Sequence, residues 1–237
     1  MSVIHHLMPV DKKTTRLQVA LDLLDLKDAL AIAEEAIDGG VDILEAGTPL
    51  VKSEGMRAVR ELKELVKKKK REGKVLIAAD LKTMDAGFLE AKMAFDAGAD
   101  IVNVLGCARD ETIKGACRAA KELSGIPGGT KIIAVDLIGV ADPLSRAVEC
   151  EKLGAGIVLF HTGLDTQVSE GVQFREAETA SKRLNIPIAV AGGIKLETVG
   201  KAKESGAGIV IVGAAITASG CVRKRVEEFQ NALGKNK

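Results

Sequence analysis

Asp80, Lys82 and Asp85 stand as Asp-x-Lys-x-x-Asp directly after the apolar run Val75-Leu76-Ile77-Ala78-Ala79. Two carboxylates and an ammonium at the end of a buried strand make poor core material, because buried charge is costly unless it is paired or metal-bound. The motif therefore reads as a site, against the plainer alternative of a solvated turn with an incidental ion pair. Glu45 and Asp80 offer only oxygen to a hard cation, with no His or Cys beside them, which favours Mg²⁺ over Zn²⁺. Lys82, flanked by carboxylates, is expected to stay protonated as a charge clamp; a Schiff-base lysine needs an apolar or cationic neighbourhood. His161 is the only histidine apart from His5 and His6. At the end of a strand it suits proton transfer, the alternative being a satisfied core imidazole. Gly192-Gly193 and Gly213 let backbone N–H groups approach an anion such as phosphate, or else simply make tight turns.

The elements that must position these residues follow from a repeat. Gly40-Val-Asp-Ile-Leu44, Gly98-Ala-Asp-Ile-Val102, Gly154-Ala-Gly-Ile-Val158 and Gly206-Ala-Gly-Ile-Val210 share a helix-closing Gly, a small residue and a strand start, at spacings of 58, 56 and 52 residues. A further apolar run precedes each repeat, at residues 17–21, 75–79, 131–135 and 186–191, giving eight strands. Stretches of helical period lie between them, among them residues 26–37, 56–70, 88–97 and 141–153. Continuous apolar strands alternating with helices predict an α/β fold, a single (β/α)8 TIM barrel. A doubly wound open sheet is the alternative, weakened by the lack of Gly-x-Gly-x-x-Gly after an early strand. In a barrel, chemistry belongs at the C-terminal strand ends. Those ends carry Asp22, Glu45, Asp80 with Lys82, Asp136, His161, Gly192-Gly193 and Gly213-Ala214, while the strand starts carry small residues apart from Asp42 and Asp100.

Composition narrows the function classes. The 34 basic and 33 acidic residues nearly cancel and there is no Trp or Tyr, so neither nucleic acid nor an anionic membrane is an expected partner. Cys107, Cys117, Cys150 and Cys221 lack Cys-x-x-Cys spacing and read as reduced thiols of a cytoplasmic protein. Residues 1–16 form an N-terminal extension and 17–237 the barrel; no apolar stretch is long enough to span a membrane. The cationic run Lys67 to Arg71 suits a helix C-terminus.

The chain resembles the orotidine-monophosphate-decarboxylase-like barrels, and within them the 3-hexulose-6-phosphate synthase branch. The matching stretches are Leu17-Gln-Val-Ala-Leu-Asp22, Glu45-Ala-Gly-Thr-Pro49, Ala79-Asp-Leu-Lys-Thr-Met-Asp-Ala-Gly87, Val135-Asp-Leu137, His161-Thr-Gly-Leu-Asp-Thr-Gln167 and Val190-Ala-Gly-Gly-Ile194. The resemblance implies a reversible, Mg²⁺-dependent aldol condensation of ribulose 5-phosphate with formaldehyde through an enediolate. It implies that Glu45 and Asp80 hold the metal and that Asp22 and Lys82 bind sugar hydroxyls and the intermediate. It also implies that His161 moves protons and that Gly192, Gly193, Gly213 and Ala214 hold the phosphate. Asp85 would reach into the neighbouring subunit's site of a homodimer. The alternative is the related 3-keto-L-gulonate-6-phosphate decarboxylase, which has Glu, Arg, Thr and Arg where this chain has Asp136, Leu164, Ala191 and Ala214. A non-catalytic sugar-phosphate-binding barrel would keep the glycines without a reason to hold the charged set.

Overall fold

The Gly of each repeat adopts a left-handed φ, of 91° at Gly40, 107° at Gly98, 103° at Gly154 and 79° at Gly206, and so turns the chain from a helix into the next strand. The computed structural model describes residues 14–125, 129 and 131–235. Residues 1–13 of the expected extension lie outside the described residues. Among those described, β1 (Arg16–Leu21), β2 (Ile43–Ala46), β3 (Leu76–Thr83), β4 (Ile101–Leu105), β5 (Ile132–Asp136), β6 (Ile157–His161), β7 (Ile188–Ala191) and β8 (Ile209–Val212) pair in parallel. They follow chain order, and β8 returns to β1, closing the barrel and excluding the open sheet.

The helices alternate with the strands. They are α1 (Leu26–Gly39), α2 (Thr48–Glu54), α3 (Met56–Lys68), α4 (Gly87–Asp96), α5 (Asp110–Leu123), α6 (Pro143–Leu153), α7 (Gln167–Glu170), α8 (Phe174–Arg183), α9 (Val199–Glu204), α10 (Ala214–Thr217) and α11 (Val222–Ala232). The short α2, α7 and α10 were not expected. Each follows a C-terminal strand end, so each belongs to the rim where the candidate residues stand.

Period-2 alternation divides each strand between two apolar clusters. Val19, Leu44, Ile77, Val102, Val135 and Val158 belong to the large cluster that includes the helices. Ile43, Ala78, Ile101, Ala134, Leu159 and Ile211 form a separate cluster that fills the cylinder. Continuing this inward parity up the strands leads to Glu45, Asp80, Asn103, Asp136 and His161. The fold thus aims these side chains along the axis, above an apolar plug.

The two acidic residues at strand starts have a structural task. The Asp100 carboxylate accepts the Ile77 backbone N–H at 2.9 Å and pairs with Lys63 Nζ at 2.9 Å. Asp42 Oδ2 accepts from Leu17 N at 2.7 Å, Gln230 Nε2 at 3.0 Å and Lys235 Nζ at 2.7 Å, tying the C-terminal helix to β1. Asp100→Ala leaves a buried N–H and an ammonium unpartnered, so denaturant unfolding should show a loss of about 3 kcal/mol. A loss below about 0.5 kcal/mol, the size of an ordinary surface substitution, would remove this role.

Candidate active site

β3 is irregular where the site begins. Its register against β4 slips between Ala79 and Thr83, and Lys82 takes a left-handed φ of 47°. The strand runs on to Thr83, so Asp80 and Lys82 lie within it instead of following it. A bulge of this kind re-aims a side chain, and here it turns the Lys82 ammonium to Asp80 Oδ2 at 2.8 Å and to Asp136 Oδ2 at 3.2 Å. Holding a non-glycine residue in this region costs on the order of 1–3 kcal/mol, which the surrounding contacts must offset.

The polar side chains form one connected chain. Asn103 Nδ2 lies 3.3 Å from both Glu45 Oε1 and Asp80 Oδ1. Thr48 Oγ1, in the first turn of α2, donates to Asp80 Oδ2 at 2.6 Å. Asp136 Oδ2 takes His161 Nδ1 at 2.9 Å as well as Lys82, and Asp136 Oδ1 accepts the Ile138 N–H at 2.9 Å. Glu45, Asp80 and Asp136 are only 4%, 7% and 0% exposed, so their charges are felt strongly by one another.

Burial raises the Glu45 carboxyl well above its ordinary 4.5, with repulsion from Asp80 adding to it and a Gln18 hydrogen bond opposing it. Asp22, at the mouth, is raised by desolvation and then by Asp80. Burial works against the Lys82 ammonium, but the carboxylates of Asp80 and Asp136 outweigh it and keep the charge in place. Asp136 is lowered despite its burial, by His161, Lys82 and the Ile138 N–H. An ionised Asp136 can only accept, so the hydrogen on His161 Nδ1 points to it and Nε2 is the nitrogen outside that bond.

Asp22, Glu45, Asp80, Lys82, Asp136, His161, Gly192, Gly193, Gly213 and Ala214 line one cavity of about 940 Å³ at the C-terminal end of the barrel. Asp85 does not line it; it is exposed in the β3–α4 loop. The glycines are not equivalent. At Gly192 a Cβ would overlap the Thr162 carbonyl oxygen and φ is 102°, so packing alone demands glycine there. Gly213 has no such demand, since a Cβ would rest 3.6 Å from Asp22 Oδ2, and the missing side chain keeps that space open between β8 and Asp22.

Sequence reasoning missed Asn103, Thr48 and Gln18. A single polar residue at inward parity in the otherwise apolar Ile101-Val-Asn-Val-Leu105 was the available signal for Asn103. Among the described residues no three His, Cys, Asp or Glu side chains form a metal-holding group. Glu45 and Asp80 still fit a Mg²⁺ ion, which takes one or two carboxylates and fills its shell with water and substrate oxygens. Their crowding, which raises Glu45, is the deficit of positive charge that such an ion would supply.

The sequence profile of the orotidine 5'-phosphate decarboxylase / HUMPS family matches residues 15–229. The chain is 39% identical to 3-hexulose-6-phosphate synthase of Mycobacterium gastri over 218 residues, covering 92% of this chain and 99% of that protein. It is 44% identical to the enzyme of the same name from Methylomonas aminofaciens over 200 residues, covering 84% and 90% of the two chains. The crystal structure of 3-hexulose-6-phosphate synthase from Salmonella typhimurium superposes with a TM-score of 0.83 at 38% identity, covering 93% of this chain and all of that one.

Because the folded state raises the Glu45 carboxyl, ionisation there opposes folding, and the penalty grows as pH rises through the window above 4.5. In chelator at neutral pH, Glu45→Gln should therefore melt at a higher temperature than wild type, the difference vanishing toward pH 4. An equal or lower melting temperature at neutral pH would show that Glu45 is not held against its charge.

Proposed function

Because the chain belongs to the orotidine 5'-phosphate decarboxylase / HUMPS family, we propose that it joins formaldehyde to C1 of ribulose 5-phosphate, reversibly, giving 3-hexulose 6-phosphate. The 3-hexulose-6-phosphate synthase names of relatives covering most of the chain support the reaction. Within the structure the reading is carried by the His161–Asp136–Lys82–Asp80 chain, which sets a basic imidazole nitrogen beside a fixed ammonium in one cavity.

Glu45 and Asp80 would hold Mg²⁺, whose Lewis acidity would polarise the C2 carbonyl of the sugar. The residues of the chain account for the rest. Gly192, Gly193, Gly213 and Ala214 would seat the phosphate, leaving C1 to face the barrel axis. His161 Nε2 takes a proton from C1, and Asp136 stabilises the imidazolium through Nδ1–H. Lys82, which cannot lose its charge between two carboxylates, stabilises the oxyanion of the enediolate. The enediolate C1 attacks the formaldehyde carbon, and the proton held by His161 returns to the new hydroxyl. Asp22 accepts from sugar hydroxyls at the open mouth.

The reading includes a homodimer. Asp85 does not line its own cavity, and its loop and the following α4 carry the exposed Met84, Leu89 and Met93, apolar residues of the kind that subunits cover. Across such an interface Asp85 would enter the partner's site. The reading also places the enzyme in the cytoplasm, where the exposed thiols of Cys107 and Cys221 would stay reduced. Among the described residues no helix is long and apolar enough to cross a membrane.

Consumption of formaldehyde with ribulose 5-phosphate and Mg²⁺ tests the reaction. Turnover of 3-keto-L-gulonate 6-phosphate alone would sink it in favour of the decarboxylase. His161→Ala should slow exchange of the C1 proton with deuterated solvent by roughly 10²–10⁴-fold; unchanged exchange would move the base elsewhere. Added Mg²⁺ should raise the melting temperature of wild type and leave that of Glu45→Gln where it was. For the shared site, inactive Asp85→Asn and Lys82→Met chains, mixed, should regain up to about a quarter of wild-type activity in heterodimers with one intact site. No regain on mixing would place Asp85 outside the partner's site.

A further inference from the structure

The cavity extends past the barrel mouth. Beyond Gly193 and Gly213 its wall continues through Lys195 and Leu196 after β7, Ala215 and Thr217 of α10, and Arg225 and Phe229 of α11. Lys82, Lys195 and Arg225 are its cationic side chains among the described residues. Lys82 is held on the barrel axis between Asp80 and Asp136, so it is not placed to meet an anion at the rim. A sugar phosphate seated between Gly193 and Gly213 would otherwise rest on backbone N–H groups alone, with Asp22 close by at 3.6 Å from a Cβ placed on Gly213.

We infer that Arg225 is the residue that selects a phosphorylated substrate, by bringing its guanidinium to the phosphate from the outer side of the glycine cradle. This rests on the sugar-phosphate reading above. A guanidinium matches phosphate oxygens in two parallel hydrogen bonds, which the ammonium of exposed Lys195 cannot do. Arg225 is free to do so. Its partner is Glu228 at 3.2 Å, on the same helix, with the two side chains 39% and 35% exposed, and such exposed pairs contribute little. The sequence around it also fits a task other than helix stability. Arg223, Lys224 and Arg225 occupy the first turn of α11, which has no acidic residue, although cations there oppose the helix dipole.

The test is Arg225→Met, which keeps the stem and removes the charge. Its melting temperature should match or exceed that of wild type. Titration of inorganic phosphate followed by ³¹P NMR should show affinity falling about tenfold or more, with partial recovery in Arg225→Lys. In turnover, KM for ribulose 5-phosphate should rise by a similar factor while kcat changes less than about twofold. Unchanged phosphate affinity in an active Arg225→Met enzyme overturns the inference alone. Arg225-dependent phosphate binding by a wild-type protein without aldol activity would instead overturn the reaction and leave Arg225 in place.

Discussion

Charge enclosed above an apolar plug has to be answered by other charge, and this requirement organises the mouth of the barrel. Glu45, Asp80 and Asp136 stand in the low-dielectric interior with Asp22 above them, and Lys82 is the one ammonium that the described ion pairs place among them. The carboxylates divide accordingly. Asp136, which takes Lys82, His161 and a backbone N–H, is lowered. Glu45, left with the amides of Gln18 and Asn103, is raised. Two environments thus separate two carboxylates, one an anion that orients a histidine and the other short of a cation. Such divergence of like groups is what acid–base and metal-assisted chemistry draws on.

The barrel keeps that tension local. Its lower end uses the same residue type for the opposite purpose. Asp42 and Asp100 each accept a backbone N–H from the neighbouring strand and face lysines, so their charge is spent on joining elements. Strand parity separates the two uses, because the inward positions at the bottom hold Ile43, Ile101 and Ile132 while those at the top hold Glu45, Asn103 and Asp136. A destabilising arrangement at the mouth is therefore tolerated by a cylinder whose stability is fixed elsewhere.

Much of this was legible in the chain. The fourfold Gly repeat and the apolar runs gave the strand count and order, since each Gly closes a helix by a left-handed turn that few other residues adopt. Their place at the C-terminal strand ends then marked Asp136 and His161 as site residues, and strand parity in the structure turns them to the axis. The short rim helices escaped because segments of four to seven residues, such as Thr48–Glu54 and Ala214–Thr217, carry too little periodicity to register. Asn103 escaped because one amide in an apolar run has no charge to draw attention, although it bridges the two carboxylates. The extension of β3 through Asp80 and Lys82 escaped for a different reason: charged residues argue against a strand, and the bulge that admits them is a tertiary feature.

The strained Lys82 joins these observations. A regular strand would send residues 80 and 82 to the same face at a spacing that suits a ladder, with the ammonium parallel to the carboxylate. The slip of register and the φ of 47° instead fold the ammonium back between Asp80 and Asp136, from strands two apart in the barrel. Without that bend Asp80 and Asp136 would be separate buried anions, each needing its own partner. With it, one cation links them, the histidine inherits a fixed orientation through Asp136, and the oxygen atoms of Glu45 and Asp80 are left facing the cavity. Backbone strain at a single residue is thus the condition on which the continuity of the polar chain depends.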